Sequence, residues 1–87
     1  MVDLLVFSAA YCGPCRQMEA AGVYQAVRDA GYEVTKVDTQ KDPAMANQYG
    51  VRAIPTMVVR KNGQTAKTLV GAMPAATIIA ELQRHEG

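Results

Sequence analysis

The sequence predicts an α/β fold with the element order β-α-β-α-β-β-α, in which a four-stranded mixed sheet is flanked by three helices. A short apolar run, a helical pattern and a second strand form a βαβ unit, whose two strands lie parallel with a right-handed crossover. Asn62-Gly63 joins two strand-like segments, a strong signal for an antiparallel hairpin. The last apolar residues repeat at i, i+3, i+4 and i+7, which indicates a final amphipathic helix. At 87 residues the chain is expected to form one domain, residues 1–87.

The composition is typical of a globular chain and excludes several functional classes. Hydrophobic residues make up 49% of the chain and charged residues 20%, which fits a packed domain rather than a disordered one. The formal net charge of +1 and the lack of a basic patch argue against nucleic-acid binding. No apolar run approaches the ~20 residues of a membrane span, and the N-terminus lacks a signal-peptide pattern. We therefore expect no membrane association and a cytoplasmic location, where reactive cysteines are more common than structural ones.

The first strand and helix are predicted from local signals. Leu4–Ser8 is a short apolar run, as in a buried strand. The helix begins near Cys12, with Pro14 in its first turn, where a missing N–H costs little. Gly31 is a suitable residue just beyond its end.

Within this long predicted helix, one buried stripe is expected. It consists of Ala20, Val23, Val27 and Ala30, which keep a 3-4-3 spacing. Gly22 lies in the middle of the helix and should cost about 1 kcal/mol relative to Ala. We interpret it as a packing residue or a kink.

The remaining elements follow from caps and turns. Val34–Asp38 is predicted as the second strand, and Asp42-Pro43 as the cap and first residue of a short helix that ends at Gly50. Two strands follow, at Thr56–Lys61 and Thr65–Val70. The last helix begins at Pro74, and its apolar positions are Ala75, Ile78, Ile79 and Leu82.

The segment Cys12-Gly13-Pro14-Cys15 carries the chemistry. It follows a strand and begins a helix inside a βαβ unit, the setting of a dithiol redox motif. Residues i and i+3 on the first helical turn face the same way, so the two sulfurs can form a disulfide with little backbone movement. The unpaired N–H groups of that turn favour a thiolate, so the pKa of Cys12 should fall below that of a free cysteine. We predict that Cys12 attacks first and that Cys15, one turn further in, attacks second.

Two other interpretations of the cysteines remain open at this point. They could be inert and buried, or they could be half of a metal site. Together with the lone His85 they cannot supply four zinc ligands within one chain, although a dimer could. Arg16 is either a plain surface charge or a group that favours the thiolate or acidic partners.

From Leu4 to the final helix the chain resembles the thioredoxin family. The resemblance is carried by these segments: Phe7, Tyr11-Cys12-Gly13-Pro14-Cys15-Arg16, Val37-Asp38, Tyr49-Gly50-Val51-Arg52, Ile54-Pro55-Thr56, Lys61-Asn62-Gly63 and Val70-Gly71-Ala72. The tetrapeptide Cys-Gly-Pro-Cys followed some forty residues later by Ile-Pro-Thr is a specific combination. The resemblance implies a thioredoxin fold with strand order 2-1-3-4, helices 1 and 3 on one face of the sheet and helix 2 on the other.

The resemblance also implies a function. It implies a protein-disulfide reductase that binds no cofactor and works through a Cys12–Cys15 disulfide, with Tyr11, Gly13 and Pro14 in the active-site loop. Ile54-Pro55 would be a cis peptide bond packed beside the disulfide, and Ile54, Pro55, Gly71 and Ala72 would bind substrate. The expected partners are a thioredoxin reductase or similar electron donor and disulfide-containing clients, such as ribonucleotide reductase or a peroxiredoxin. We expect a monomer.

Three features depart from the family pattern. Only eleven residues precede Cys12, so the extra N-terminal strand and helix of typical thioredoxins have no room, and a glutaredoxin-sized core is expected. Tyr11 occupies the usual position of Trp. Val6 and Val34 are assigned to the positions of a buried Asp and Lys behind the disulfide, which leaves open how Cys15 is deprotonated.

Two alternative functions follow from these comparisons of motifs. A glutathione-dependent, glutaredoxin-type oxidoreductase has the same size. However, Ala9 and Ala10 stand where a glutaredoxin carries a Lys, and Gly71-Ala72-Met73-Pro74 lacks its Gly-Gly and acidic pair. The other alternative is a dimeric module that binds a metal or cluster.

Overall fold

A computed structural model describes residues 1–87, and it has four strands and four helices. In chain order they are β1 (Val2–Ser8), α1 (Gly13–Ala20), α2 (Val23–Asp29), β2 (Glu33–Asp38), α3 (Pro43–Gln48), β3 (Thr56–Lys61), β4 (Gln64–Val70) and α4 (Ala75–Arg84). The sheet order is β2-β1-β3-β4. β1 pairs parallel with β2 and antiparallel with β3, which pairs antiparallel with β4. The predicted mixed sheet and its order are confirmed.

The sheet has a hydrophobic core on each face. Leu4 and Val6 of β1 pack with residues of α1, α2 and α4 on one face. Leu5 and Phe7 point to the other face and pack against Ala46 of α3. This alternation is what the period of two in a strand dictates. The predicted first and third helices therefore share one face and the predicted second helix covers the other, as expected.

The predicted first helix is two helices, which corrects the count of three. α1 ends at Ala20, α2 begins at Val23, and Gly22 between them has a φ of +72° in the left-handed region. Glycine adopts this conformation at no steric cost, whereas any residue with a Cβ is penalised there. Gly22 therefore breaks the helix, and the alternative that treated it as a packing residue is wrong.

The buried stripe of this segment also differs from the prediction. Val23 and Val27 are buried, but Ala20 and Ala30 are exposed. Met18 and Tyr24 fill the core instead, and the Tyr24 hydroxyl donates a hydrogen bond to Met18 Sδ at 3.7 Å. The break at Gly22 changes the helical phase, so a stripe that assumes one continuous helix fails on both sides of it.

The cap and hairpin predictions are confirmed. The Asp42 side chain accepts a hydrogen bond from the Met45 N–H at 3.1 Å and caps α3, with Pro43 in the first turn. Asn62 and Gly63 both have positive φ, at 54° and 80°, as a tight two-residue hairpin turn requires. β3 begins and ends where predicted, at Thr56 and Lys61.

We predict that Gly22→Ala lowers the free energy of unfolding by about 1–2 kcal/mol, the cost of a left-handed conformation for a residue with a Cβ. Apart from the residues next to Gly22 in the chain, no atom lies within 4 Å of an added Cβ, so the loss comes from the backbone and not from a clash. Denaturant melts of the reduced protein measure it. A continuous helix would instead make this variant more stable than the wild type.

The matched variant is Gly22→Asn, because Asn tolerates the left-handed region better than Ala. It should lose less stability than Gly22→Ala. Equal losses would argue against a purely conformational cause.

Candidate functional site

Strand pairing brings the predicted site residues to one edge of the sheet. Phe7 of β1 pairs with Thr56 of β3, and Thr56 pairs with Val70 of β4. The segments that follow Phe7, precede Thr56 and follow Val70 therefore leave the sheet at the same edge. These segments contain the predicted cysteine pair, active-site loop and substrate-binding residues.

Cys12 and Cys15 form a disulfide at the start of α1. Their Cα atoms are 5.3 Å apart. Cys12 is the N-cap of α1, and its Sγ accepts a hydrogen bond from the Cys15 N–H at 3.2 Å. In this disulfide form, the two residues are almost equally buried, at 6% and 5% exposed. The two cysteines therefore differ in their position relative to the helix, and not in how far they are shielded from solvent.

The rest of the active-site loop faces solvent. Gly13 and Pro14 form the exposed first turn of α1, as predicted from the proline. Tyr11 precedes the disulfide and is 69% exposed, one of the few large hydrophobic side chains at the surface. The residues that flank Cys12 in the chain are therefore open to solvent.

The Ile54–Pro55 peptide bond is cis, as the resemblance implied. The Pro55 carbonyl accepts a hydrogen bond from the Gly71 N–H at 2.9 Å, which ties the two predicted binding segments together. Thr56 Oγ1 donates to the Ala53 carbonyl and closes the turn before β3. Neither the N–H nor the C=O of Ile54 has a hydrogen-bond partner within the chain.

A small pocket beside Tyr11 contains residues that the sequence did not nominate. Its volume is about 130 Å³. It is lined by Tyr11, Thr39, Ala46, Val51, Arg52, Ala53 and Ile54. Val51 and Arg52 stood in the family-like segment before Ile54-Pro55, but only the folded chain shows that they adjoin Tyr11.

The residue that lies beside Val6 is Lys36, which corrects the assignment of Val34. In the parallel β1–β2 register, Val6 pairs with Lys36, and Val34 pairs with Leu4, further from the disulfide edge. Val6 is fully buried, as expected. The Lys36 ammonium forms an ion pair with Glu19 of α1 and lies 5.5 Å from the centre of the Tyr24 ring. A lysine is therefore present next to Val6, and its carboxylate partner comes from the helix.

Tyr24 is part of the same cluster. Burial, and secondly the nearby Glu19 carboxylate, raise the pKa of Tyr24 to about 12. Its hydroxyl therefore stays protonated near neutral pH and remains a hydrogen-bond donor to Met18 Sδ. Neither Tyr24 nor Met18 was predicted to adjoin Glu19 and Lys36, because the contact requires α1, α2 and β2 to meet.

No group of three or more His, Cys, Asp or Glu side chains is arranged to hold a metal ion. None of the helices combines the length and the apolar character that crossing a membrane requires.

Comparisons with known proteins agree with one another. The family profile described as Thioredoxin matches residues 2–84. Thioredoxin 1 of Synechococcus elongatus is 40% identical over 84 residues, which covers 94% of this chain and 78% of that protein. The structure of a mutant thioredoxin from Halobacterium salinarum superposes with a TM-score of 0.90 at 29% identity, covering 99% of this chain and 75% of the other.

A second similar structure comes from yeast. It concerns the thiol resolving mechanism of a mitochondrial 1-Cys peroxiredoxin via glutathione/thioredoxin systems. The TM-score is 0.79 at 27% identity, with 95% of this chain and 77% of the other covered.

A cysteine pair at a helix N-terminus, on the edge of this four-stranded mixed sheet, defines a thiol-disulfide oxidoreductase. The family profile and the 40% identical relative identify the branch: the chain belongs to the thioredoxin family. It is a protein-disulfide reductase that works through its Cys12–Cys15 pair, and the glutaredoxin-type alternative is not favoured.

We predict that Val6→Asp lowers the free energy of unfolding by about 1–3 kcal/mol, the cost of a buried polar group without a partner. The adjacent Lys36 is already paired with Glu19, so the new carboxylate has no free cation. Burial raises its pKa in the folded state. The unfolded chain then ionises first, and the loss should grow as the pH rises from about 4 to about 7.

Val6→Asn is the matched control for this prediction, since an amide of the same size does not titrate. Denaturant melts of both variants at the acidic and the neutral end of that range are compared with the wild type. If Val6→Asp matches the wild type in stability, or if its loss varies with pH no more than that of Val6→Asn, position 6 is not buried as described.

Proposed function

We propose that Cys12 is the nucleophile and Cys15 the resolving cysteine of this reductase. The observation that carries the assignment is the N-cap position of Cys12, whose Sγ accepts the Cys15 N–H. The unpaired N–H groups of a helix N-terminus carry partial positive charge and stabilise an anion. A thiolate at Cys12 is therefore favoured, and a thiolate is the attacking species in disulfide exchange.

The reaction then balances in two exchanges. The Cys12 thiolate attacks one sulfur of the client disulfide, the client S–S bond breaks, and the leaving thiolate takes up a proton. Cys15, once deprotonated, attacks the Cys12 sulfur of the mixed disulfide and releases the second client thiolate. The client gains two electrons and two protons, and Cys12–Cys15 is oxidised to the disulfide.

The Cys15 proton needs an acceptor. Val6 offers none, so water or the departing client thiolate takes it. A missing general base typically costs roughly a hundredfold or more in a step that depends on it. The second exchange is therefore the step whose rate is most sensitive to the residue at position 6.

The client is proposed to bind across Tyr11, Pro14 and the loops at Ile54-Pro55 and Gly71-Ala72. The backbone of Ile54 is unpaired within the chain, so its N–H and C=O can pair with an extended client segment. Ala72 is exposed and its N–H and C=O also lack a backbone partner. Gly13 leaves open space at the first turn of α1 for a client to approach.

We further propose the cellular setting. An external reductase of the thioredoxin reductase type returns the pair to the dithiol, and the clients include peroxiredoxins or ribonucleotide reductase. The family relationship supports this proposal, as does the similarity to the yeast structure concerned with a peroxiredoxin. A reversible dithiol also suits the reducing cytoplasm, and the protein would act there as a single-domain monomer.

We predict that Cys12 of the reduced protein is alkylated before Cys15 as the pH is raised, because the helix N-terminus favours its thiolate. Iodoacetamide labelling across pH, followed by peptide mass spectrometry, measures the order. If Cys15 is alkylated before Cys12, the assignment of the nucleophile and the resolving cysteine is wrong.

Trapping variants test the same assignment independently. Cys15→Ser should accumulate a mixed disulfide with an oxidised client such as insulin. Cys12→Ser is the matched control and should accumulate none. Equal trapping by both variants would contradict the assignment.

We predict that a flavin-dependent thioredoxin reductase supports turnover at least roughly tenfold faster than the glutathione system. Ala9-Ala10 and the Gly71–Pro74 segment lack the features that hold glutathione. NADPH oxidation coupled to insulin reduction measures both donors with one protein preparation. A preference for glutathione would refute the proposed donor.

A further inference from the structure

The cations without a partner concentrate around the disulfide. Most lysines and arginines contact a carboxylate or carbonyl of this chain: Arg28 with Val34, Lys36 with Glu19, Arg60 with Asp3, Lys61 with Gly87 and Arg84 with Glu81. Those whose side chains have no hydrogen bond or ion pair are Arg16, Lys41, Arg52 and Lys67. Lys67 lies on β4, whereas the first three lie at the edge of the sheet that carries the disulfide.

Arg16 and Arg52 adjoin the site, and Lys41 lies in a loop at the same edge of the sheet. Arg16 directly follows Cys15 on α1 and is exposed. Arg52 is exposed and lines the pocket beside Tyr11, together with Ile54. Lys41 is exposed in the loop that begins at Thr39, another residue of that pocket.

Two carboxylates, those of Asp38 and Asp42, lie at the same edge, and their hydrogen-bond donors are backbone N–H groups, which carry no net charge. Asp38 accepts a hydrogen bond from the Gln40 N–H at 2.9 Å, and Asp42 accepts one from the Met45 N–H at 3.1 Å. Neither carboxylate pairs with Arg16, Lys41 or Arg52. Glu33 has no side-chain partner, but it stands at the start of β2, the opposite edge of the sheet.

We infer that the protein prefers clients that carry acidic residues next to their reactive disulfide. The inference rests on the proposed function, because it concerns the surface that the client meets during exchange. Charge complementarity of this kind acts mainly on the rate of encounter, and it weakens with ionic strength. Arg52 is the residue best placed to sense the client, since its pocket lies between Tyr11 and the unpaired backbone of Ile54.

The test uses the pre-reduced protein and two cyclic disulfide peptides of equal length, one with glutamates and one with lysines flanking the cysteines. Stopped-flow measurements give the second-order rate constant for each. Each rate constant is divided by that for dithiothreitol with the same peptide, which corrects for the effect of the flanks on the disulfide itself. At low salt the wild type should reduce the glutamate peptide about tenfold faster than the lysine peptide, and the ratio should fall toward one in ~0.5 M salt.

Variants identify the residue responsible. Arg52→Gln should lower the ratio several-fold, and Arg52→Glu should lower it further. The matched control is Arg84→Gln on α4, an exposed arginine far from the disulfide edge, which should keep the wild-type ratio. A wild-type ratio near one, or a ratio that the Arg52 variants leave unchanged, would overturn the inference.

A small uncharged disulfide separates this inference from the proposed function. Hydroxyethyl disulfide makes no use of charged flanks. If the reduced protein exchanges with neither it nor the peptides, the dithiol mechanism itself fails. If it reduces all three at similar corrected rates, the mechanism stands and only the preference for acidic clients is refuted.

Discussion

The burial of β1 on both faces of the sheet is the constraint on which the rest of the structure depends. Leu4, Leu5, Val6 and Phe7 are each fully buried, with alternate side chains in the two cores. Burying each such side chain contributes about 1.5–3 kcal/mol, so the four together rival the net stability of a small domain. A shift of one residue would exchange the two faces, which fixes the register of β1 against β2 and β3. The position of Cys12, at the N-cap of the helix that follows β1, depends on that register.

Local chemistry made most of the fold predictable. A proline after an aspartate, an Asn-Gly turn and the spacing of Ile78 and Leu82 each specify their structure within a few residues. The break at Gly22 was not predictable in the same way, because a glycine inside a helical pattern permits either sign of φ. Once the helix is broken, the phase of the second half changes, and Tyr24 enters the core while Ala30 stays exposed.

In the candidate site, too, the local features were predictable from the sequence and the contacts between distant segments were not. The disulfide and its position at the helix N-terminus depend on four consecutive residues, so the sequence was sufficient. The pocket that Tyr11 and Arg52 both line joins segments far apart in the chain, and only the pairing of Phe7 with Thr56 places them together. Likewise, the assignment of Val34 failed because residue spacing alone does not fix which residue of β2 pairs with Val6.

The charged residues divide into paired groups and exposed, unpaired cations. Away from the disulfide, Arg60 donates to both Asp3 oxygens across β1 and β3 and also to the Tyr49 hydroxyl, and this hydrogen bonding raises the pKa of Arg60. The Tyr49 ring in turn packs 5.6 Å from Phe7, so this network holds α3 against the sheet. Paired and partly buried groups of this kind are committed to the fold and offer little to a partner. At the disulfide edge the cations are exposed and unpaired, so water screens their mutual repulsion and the fold loses little. Because these cations have no partner within the chain, their hydrogen-bond donors are free for an approaching acidic client. The proposed selectivity therefore requires no ion pair of the folded chain to break.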